Sequence, residues 1–317
     1  MIVALAGGVG GAKLAHGLAL SIPPEDLTVV INTADDFRLY GLYISPDIDT
    51  VMYTLAGIAN PQTGWGVQGD TTNALEMIAR YGRDTWFLIG DRDLATHVLR
   101  TELLSSGRTI TQVTSELATA LGVRSKLLPM CDEPVSTTIF ATDGRVLEFQ
   151  EYFVRYRHEP EVAKVEFAGI DRAQATQEVL SAIRSAELII FCPSNPFVSI
   201  GPILSVRGVR EAIDASSAPK VAVSPIVGGS AIKGPAADMM RSMGFEVSPL
   251  GIAKYYRGIV NGIVIDNIDA DLEENVRSLG LSVLVTNTIM NTVEDRQRLA
   301  RELLAFGSKL MSEVSVS

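Results

Sequence analysis

Four carboxylates crowd a short stretch near the start of the chain. Asp35 and Asp36 close the segment Asn32-Thr33-Ala34-Asp35-Asp36, and Asp47 and Asp49 alternate about Ile48 in Ser45-Pro46-Asp47-Ile48-Asp49-Thr50. Ahead of them, directly after the apolar run Ile2–Ala6, stands the glycine-dense loop Gly7-Gly8-Val9-Gly10-Gly11-Ala12-Lys13. Glycine lets backbone N–H groups approach a ligand that a Cβ would exclude, and a following helix adds unpaired donors and the positive end of its dipole. The loop therefore predicts a site for a phosphate-sized anion. Acids beside such a site repel the ligand unless a cation intervenes, so the combination implies bound Mg²⁺ held by Asp49 with one of Asp35 or Asp36. Capping of a helix running through Met52 is the alternative task for Asp47 or Asp49.

The loop fits neither common nucleotide fingerprint. Counting Gly-x-Gly-x-x-Gly from Gly8 and Gly10 puts Lys13 where the last glycine belongs, and Ala12-Lys13-Leu14 stands where a P-loop needs Gly-Lys-Ser/Thr. A purely structural turn, packing a helix closely on its strand, remains open. So does an NAD-dependent oxidoreductase, because Asp35 falls near the position where dinucleotide folds hold a ribose.

Two later segments carry further polar chemistry. In Gly90-Asp91-Arg92-Asp93-Leu94-Ala95-Thr96-His97, Asp91 can cap a helix while Arg92 reaches an anion. Asp93 and His97 share a helix face there, as an ordinary intrahelical pair more readily than as metal ligands. Three histidines in all argue against a multi-histidine metal site. In Pro193-Ser194-Asn195-Pro196-Phe197-Val198-Ser199-Ile200-Gly201-Pro202, prolines stiffen the loop while Ser194, Asn195 and Ser199 both donate and accept, as base or ribose recognition requires. Ser224-Pro225-Ile226-Val227-Gly228-Gly229 is either a similar binding element or an ordinary turn.

These segments need elements to hold them. Short β-rich runs at 2–6, 27–32, 188–192, 221–224, 262–266 and 283–285 alternate with helical stretches at 12–20, 174–185, 206–215, 235–243 and 293–306. That alternation predicts an α/β fold with a doubly wound, mainly parallel, Rossmann-like sheet. Residues 1–49 and 123–317 are expected to form this nucleotide-binding core. Residues 50–122, with helical spacing at 73–81, 94–105 and 113–121, form a mainly helical insert over the ligand edge. An Asp143-Gly144 turn between 137–141 and 146–149 predicts a hairpin, and 308–317 a frayed tail.

Composition narrows the partners. With 317 residues, 47% of them hydrophobic, the chain can bury a large core. A formal charge of -10 disfavours nucleic acid and anionic membranes, since the average field repels a phosphate backbone. Two distant cysteines, Cys131 and Cys192, give no disulfide framework and suit a reducing cytoplasm. No run of about 18 apolar residues predicts a membrane helix, and Gly7 interrupts the N-terminal run too soon for a signal peptide.

At the glycine loop, Asn32 to Asp36, Pro46 to Thr50, Gly90 to His97, Pro193 to Pro196, Ser199 to Pro202 and Ser224-Pro225-Ile226, the chain resembles the 2-phospho-L-lactate transferase family, CofD, of coenzyme F420 biosynthesis. The resemblance implies transfer of a phospholactyl group from a GDP-linked three-carbon acid, such as lactyl-2-diphospho-5'-guanosine, to the ribityl hydroxyl of the deazaflavin Fo. The products would be F420-0 and GMP, with Mg²⁺ as cofactor and a homodimer as the assembly. The form Val9-Gly10-Gly11-Ala12 looks more like bacterial members, which implies a phosphoenolpyruvyl donor and dehydro-F420-0. By the same resemblance Gly8, Val9, Gly10, Gly11, Lys13, Asn32, Ser194, Asn195, Pro196 and Ser199 hold the nucleotide, and Asp47, Asp49, Asp91 and Arg92 meet Fo. Asp49 and Asp36 are the expected catalytic and metal-holding pair. Leu88 departs from members that carry a basic residue at this point. A nucleotide-sugar-binding regulatory protein on the same kind of fold is the alternative.

Overall fold

A computed structural model describes residues 1–314. The strands Ile2–Ala6 (β1) and Leu27–Ile31 (β2) are buried on both faces, which is why they read as unbroken apolar runs rather than alternating ones. Their side chains divide by parity between two cores. Val3, Leu5 and Val30 face one hydrophobic cluster, while Ala4, Ala6, Val29 and Ile31 face the other. Seven strands form the central sheet in the order Ser282–Thr286, Gly262–Asp266, Lys220–Val223, Leu188–Phe191, β1, β2, Lys126–Pro129. All its pairings are parallel.

The chain winds outward from β1 through β2 to Lys126–Pro129, then returns to the other side of β1 and winds outward again. β1 and Leu188–Phe191 therefore flank the point where strand order reverses, and the loops leaving their carboxyl ends must diverge. Those two loops are the glycine loop and the Pro193–Ser199 segment.

Helices cover both faces. Gly8–Ala19 (α1) packs between Pro46–Leu55 (α2) and the long helix Val293–Val314. Pro46 at the first helical position starts α2 without wasting a donor, and Asp47 and Asp49 fall in its first turn, where the helix dipole favours negative charge. Asn73–Arg80 (α3), Asp91–Ser105 (α4) and Ile110–Ala120 (α5) follow, the last opened by a reciprocal Thr109/Gln112 capping box. No helix among the described residues is long and apolar enough to cross a membrane.

Several elements differ from the sequence expectation. Lys126–Pro129 is an edge strand of the central sheet; it is short and ends on a proline that an edge tolerates, so no periodicity announces it. The expected hairpin forms as Ser136–Ala141 with Val146–Glu148, but Val162–Ala168 joins it as a third antiparallel strand. Phe37–Leu39 and Leu42–Ile44 make a small hairpin between the two acid pairs. Residues 308–314 continue the final helix instead of fraying, because Leu310 is buried in the core beside Gly262; 315–317 lie outside the described residues.

Gly17 marks the tightest helix crossing, since a Cβ there would collide with the Arg296 backbone carbonyl of the final helix. Although alanine is the better helix former, Gly17→Ala should lower stability by about 2 kcal/mol through forced separation of the helices. Urea unfolding of the two proteins checks this, and an unchanged midpoint would contradict the packing argument.

Candidate active site

A cavity of about 560 Å³ opens where the strand order reverses. The glycine loop, the start of α2 and the Pro193–Ser199 segment form one end, and Asp93 and His97 of α4 close its floor. Trp86, Phe87, Leu88, Phe149 and Phe153 make an apolar wall, and Lys233 stands at the rim with Trp65.

The glycines serve close packing as well as access. Gly8 adopts φ +60, a left-handed conformation that favours glycine. Its N–H donates to Asp47 Oδ1 at 2.7 Å. The Gly7 N–H donates to Ser194 Oγ at 3.1 Å, and that hydroxyl donates back to the Gly7 carbonyl at 2.8 Å. A Cβ on Gly7 would lie 2.5 Å from Asp47 Oδ2, one on Gly11 2.7 Å from Ser194 Oγ, and one on Gly10 would strike the Pro193 carbonyl. Two loops and a carboxylate thus meet at van der Waals distance, and the first turn of α1 still reaches the cavity through Val9 and Gly10.

Around this junction the acids form a buried network. Asn32 Nδ2 donates to Asp35 Oδ2 and Asp47 Oδ2, both at 3.0 Å, and to the Val198 carbonyl at 3.2 Å. Ser45 Oγ donates to Asp36 Oδ2 at 2.9 Å. Arg100, only 1% exposed, pairs with both oxygens of Asp49 and places Nη1 3.2 Å from His97 Nδ1. The His97 ring bridges this pair to Asp93, with Nε2 3.3 Å from Asp93 Oδ2. Tyr53 completes the set by donating to Asp93 Oδ1 at 2.8 Å.

One guanidinium does not balance this many carboxylates. Burial, with Asp47 beside it, raises the Asp35 carboxyl well above its ordinary value. Burial raises Asp36 similarly, against the Ser45 hydrogen bond and Arg100. Asp47 is pushed up to about 6 by burial, against hydrogen bonds from Asn32 and Gly8. Asp49 is raised by burial that Arg100 and His97 only partly offset. Asp93 alone is lowered: burial would raise it, but His97 and Tyr53 outweigh that.

The surplus of negative charge fits a divalent cation. Ligand atoms of Asp49, Asp93 and His97 lie within 4.8 Å of one another, and His97 Nε2 is buried without a well-formed hydrogen bond. Two carboxylates suit Mg²⁺, while the imidazole widens the choice toward Mn²⁺. Asp36 is not in this group. Its Oδ1 is buried without a partner, but its side chain is turned to Ser45, outside the cavity lining.

Of the residues expected from sequence, Gly8, Val9, Gly10, Asp47, Asp49, Ser194, Asn195 and Ser199 line the cavity. Gly11 is buried against Ser194 and Ala6, and Asn32 spends its side chain on the acid network. Pro196 is buried beneath Tyr255. Lys13 Nζ donates to the Met290 carbonyl at 2.8 Å, away from the cavity, because its place a turn into α1 rotates it toward the final helix. Asp91 accepts from Thr71, Asn73 and the Ala74 N–H, tying down the start of α3, and Arg92 is exposed beside the Gln68 carbonyl. Asp35 also lines the cavity, its Oδ2 accepting from Asn32. Arg100 and the aromatic wall were missed; an arginine on an amphipathic helix reads as solvated until the helix docks.

Since folding raises the Asp35 carboxyl, its ionisation opposes folding at high pH and is relieved as pH falls through the folded-state value. Asp35→Asn keeps the acceptor for Asn32 and should stabilise the chelator-treated protein by about 1–2 kcal/mol at pH 8. The gain should shrink toward pH 5, and urea denaturation at both pH values measures it.

The family described as 2-phospho-L-lactate transferase CofD matches residues 2–302. A phosphoenolpyruvate transferase of Streptomyces griseus is 40% identical over 314 residues, covering 98% of this chain and 99% of its own. The 2-phospho-L-lactate transferase of Methanocaldococcus jannaschii is 39% identical over 313 residues, with 98% and 99% covered. The fold is shared with a UPF0052-family protein of Bacillus halodurans at TM-score 0.62 and 18% identity, over 96% of this chain and 98% of that one. Running from β1 through the acid network to the final helix, this likeness shows that the chain belongs to the 2-phospho-L-lactate transferase CofD family.

Proposed function

We propose that the protein transfers a phospholactyl or phosphoenolpyruvyl group from a GDP-linked three-carbon acid to the ribityl hydroxyl of Fo, releasing GMP in coenzyme F420 biosynthesis. The observation that carries this reading is one cavity joining a helix N-terminus, a carboxylate network and an aromatic wall. The relatives' names supply the group transferred.

The first turn of α1 offers backbone donors to the diphosphate. Ser194 and Asn195 stand beside it for the guanosine half; the Asn195 amide meets only a weak acceptor, Met239 sulfur, at 3.4 Å. At the far end, Phe149 and Phe153 stack at 5.7 Å and Trp86 meets Phe87 edge-on at 5.6 Å, an apolar surface suited to a flat tricyclic ring. Leu88 extends this surface where a basic residue would add charge.

Between these ends the ribityl oxygen attacks the phosphorus next to the three-carbon acid, and the bond to the GMP phosphate breaks. Such transfer asks chiefly for in-line placement and neutralised charge, so no protein nucleophile is required. The hydroxyl proton passes to the acid network, where burial pushes Asp47 up to about 6. Mg²⁺ held by Asp49 with Asp93 and His97 would supply the charge neutralisation that the diphosphate needs. Asp36 then acts from behind, through Ser45 at the start of α2. The family resemblance also supports a cytoplasmic homodimer.

With purified protein, Fo, Mg²⁺ and the phospholactyl, phosphoenolpyruvyl and phosphoglyceryl donors in competition, mass spectrometry should show one deazaflavin product and GMP. Asp49→Asn should lower GMP release by about 10³-fold or more while GDP binding persists in calorimetry. Undiminished turnover would overturn the role given to Asp49.

A further inference from the structure

Two basic residues close to the nucleotide site are committed elsewhere. Lys13 is held by Met290, and Arg100 is held by Asp49. Among the cavity-lining residues Lys233 is the single lysine or arginine, facing Asp35, Asp47, Asp49 and Asp93 across the same space. A donor that carries two phosphates into so acidic a cavity needs positive charge beside the helix N-terminus, and Lys233 is placed to give it.

Its position follows from two loops that meet over α1. Gly64, at φ +78, packs so closely on Val9 that a Cβ there would lie 2.6 Å from Val9 Cγ1 and 3.5 Å from Lys233 Nζ. The ammonium therefore sits next to the glycine loop. It donates to the Thr63 carbonyl, which uses one of its three N–H groups. Lys233 lies on an arm in which Gly228, Gly229 and Gly234 all hold positive φ around the two-residue ladder of Ile226–Val227 with Ser230–Ala231. The base of the arm is anchored, because the Gly228 N–H donates to both oxygens of Asp269 at 3.1 and 3.0 Å. Partial burial lowers the Lys233 ammonium below its ordinary value, while the residue as a whole remains exposed.

We infer that Lys233 is the cation that grips the diphosphate of the nucleotide donor opposite the first turn of α1, its ammonium supplementing or exchanging the Thr63 carbonyl for a phosphate oxygen. The inference rests on the nucleotide-donor reading given above, and it moves the lysine of the site from the glycine loop to a segment 220 residues later in the sequence.

Lys233→Gln keeps a donor for the Thr63 carbonyl and removes only the charge; Lys233→Arg keeps the charge. Calorimetry with GDP and with guanosine separates the two effects. Lys233→Gln should weaken GDP by roughly ten- to a hundredfold and leave guanosine unchanged, as expected for one lost charge-assisted bond. Lys233→Arg should bind GDP within a few-fold of the native protein. Equal GDP affinity in Lys233→Gln and native protein overturns the inference, and so does an equal loss for GDP and guanosine, which would make the lysine a loop tether. If the native protein binds no GDP, the donor reading falls. Inorganic pyrophosphate then tests the lysine: weaker binding by Lys233→Gln upholds its anion role, and equal or absent binding overturns it.

Discussion

The constraint on which the site depends is the burial of Arg100 against Asp49. Removing a guanidinium and a carboxylate from water costs several kcal/mol each, and only close pairing with further hydrogen bonds recovers it. That pairing fixes α4 against the first turn of α2, and the Tyr53 hydroxyl on Asp93 fastens the same two helices a second time. His97 and Asp93 reach the cavity floor because α4 is held at this rotation. The other acids are buried around this single compensated charge, and chiefly through that burial Asp35, Asp36 and Asp47 all resist ionisation. An arrangement so unfavourable when empty is what one expects of a site whose missing charge arrives with its ligands.

The glycine loop belongs to the same balance. Asp47 sits on the Gly8 N–H and meets Asn32, while Asn32 reaches across to the Val198 carbonyl. One amide therefore links the carboxyl end of β2, the start of α2 and the loop after Leu188–Phe191. The glycines at 7, 10 and 11 are required by what already lies against them, and the departure from both nucleotide fingerprints follows. Those fingerprints describe loops that wrap a ligand, whereas this one first wraps its own protein.

Much of the architecture is legible in the sequence because parallel strands buried on both faces read as continuous apolar runs, as Ile2–Ala6 and Gly262–Asp266 do. Lys126–Pro129 is not, since an edge strand needs fewer apolar positions and permits a proline. Asp47 and Asp49 stand out by their spacing, and both line the cavity. Lys13 misled by proximity, as rotation along α1 outweighs nearness in the chain. Arg100, Lys233 and the aromatic wall come from segments far apart in sequence, with side-chain types that are ordinary surface or core residues until tertiary contacts join them.

Strand order also bears on how the chain is made. β1 lies in the interior of the sheet, yet its partner on one side, Leu188–Phe191, is synthesised long after β2 and Lys126–Pro129 have joined the other. At ribosomal speeds the wait from Pro129 to Phe191 lasts roughly 3 to 12 s. Through that interval β1 presents an apolar, unpaired edge, and the Gly7 amide and the Asn32 side chain lack Ser194 and Val198. A nascent half-sheet of this kind is a template for pairing with another chain. The reversal of strand order that creates the cavity therefore leaves the newborn protein dependent on prompt arrival of its own later residues, or on a chaperone that shields the edge until they emerge.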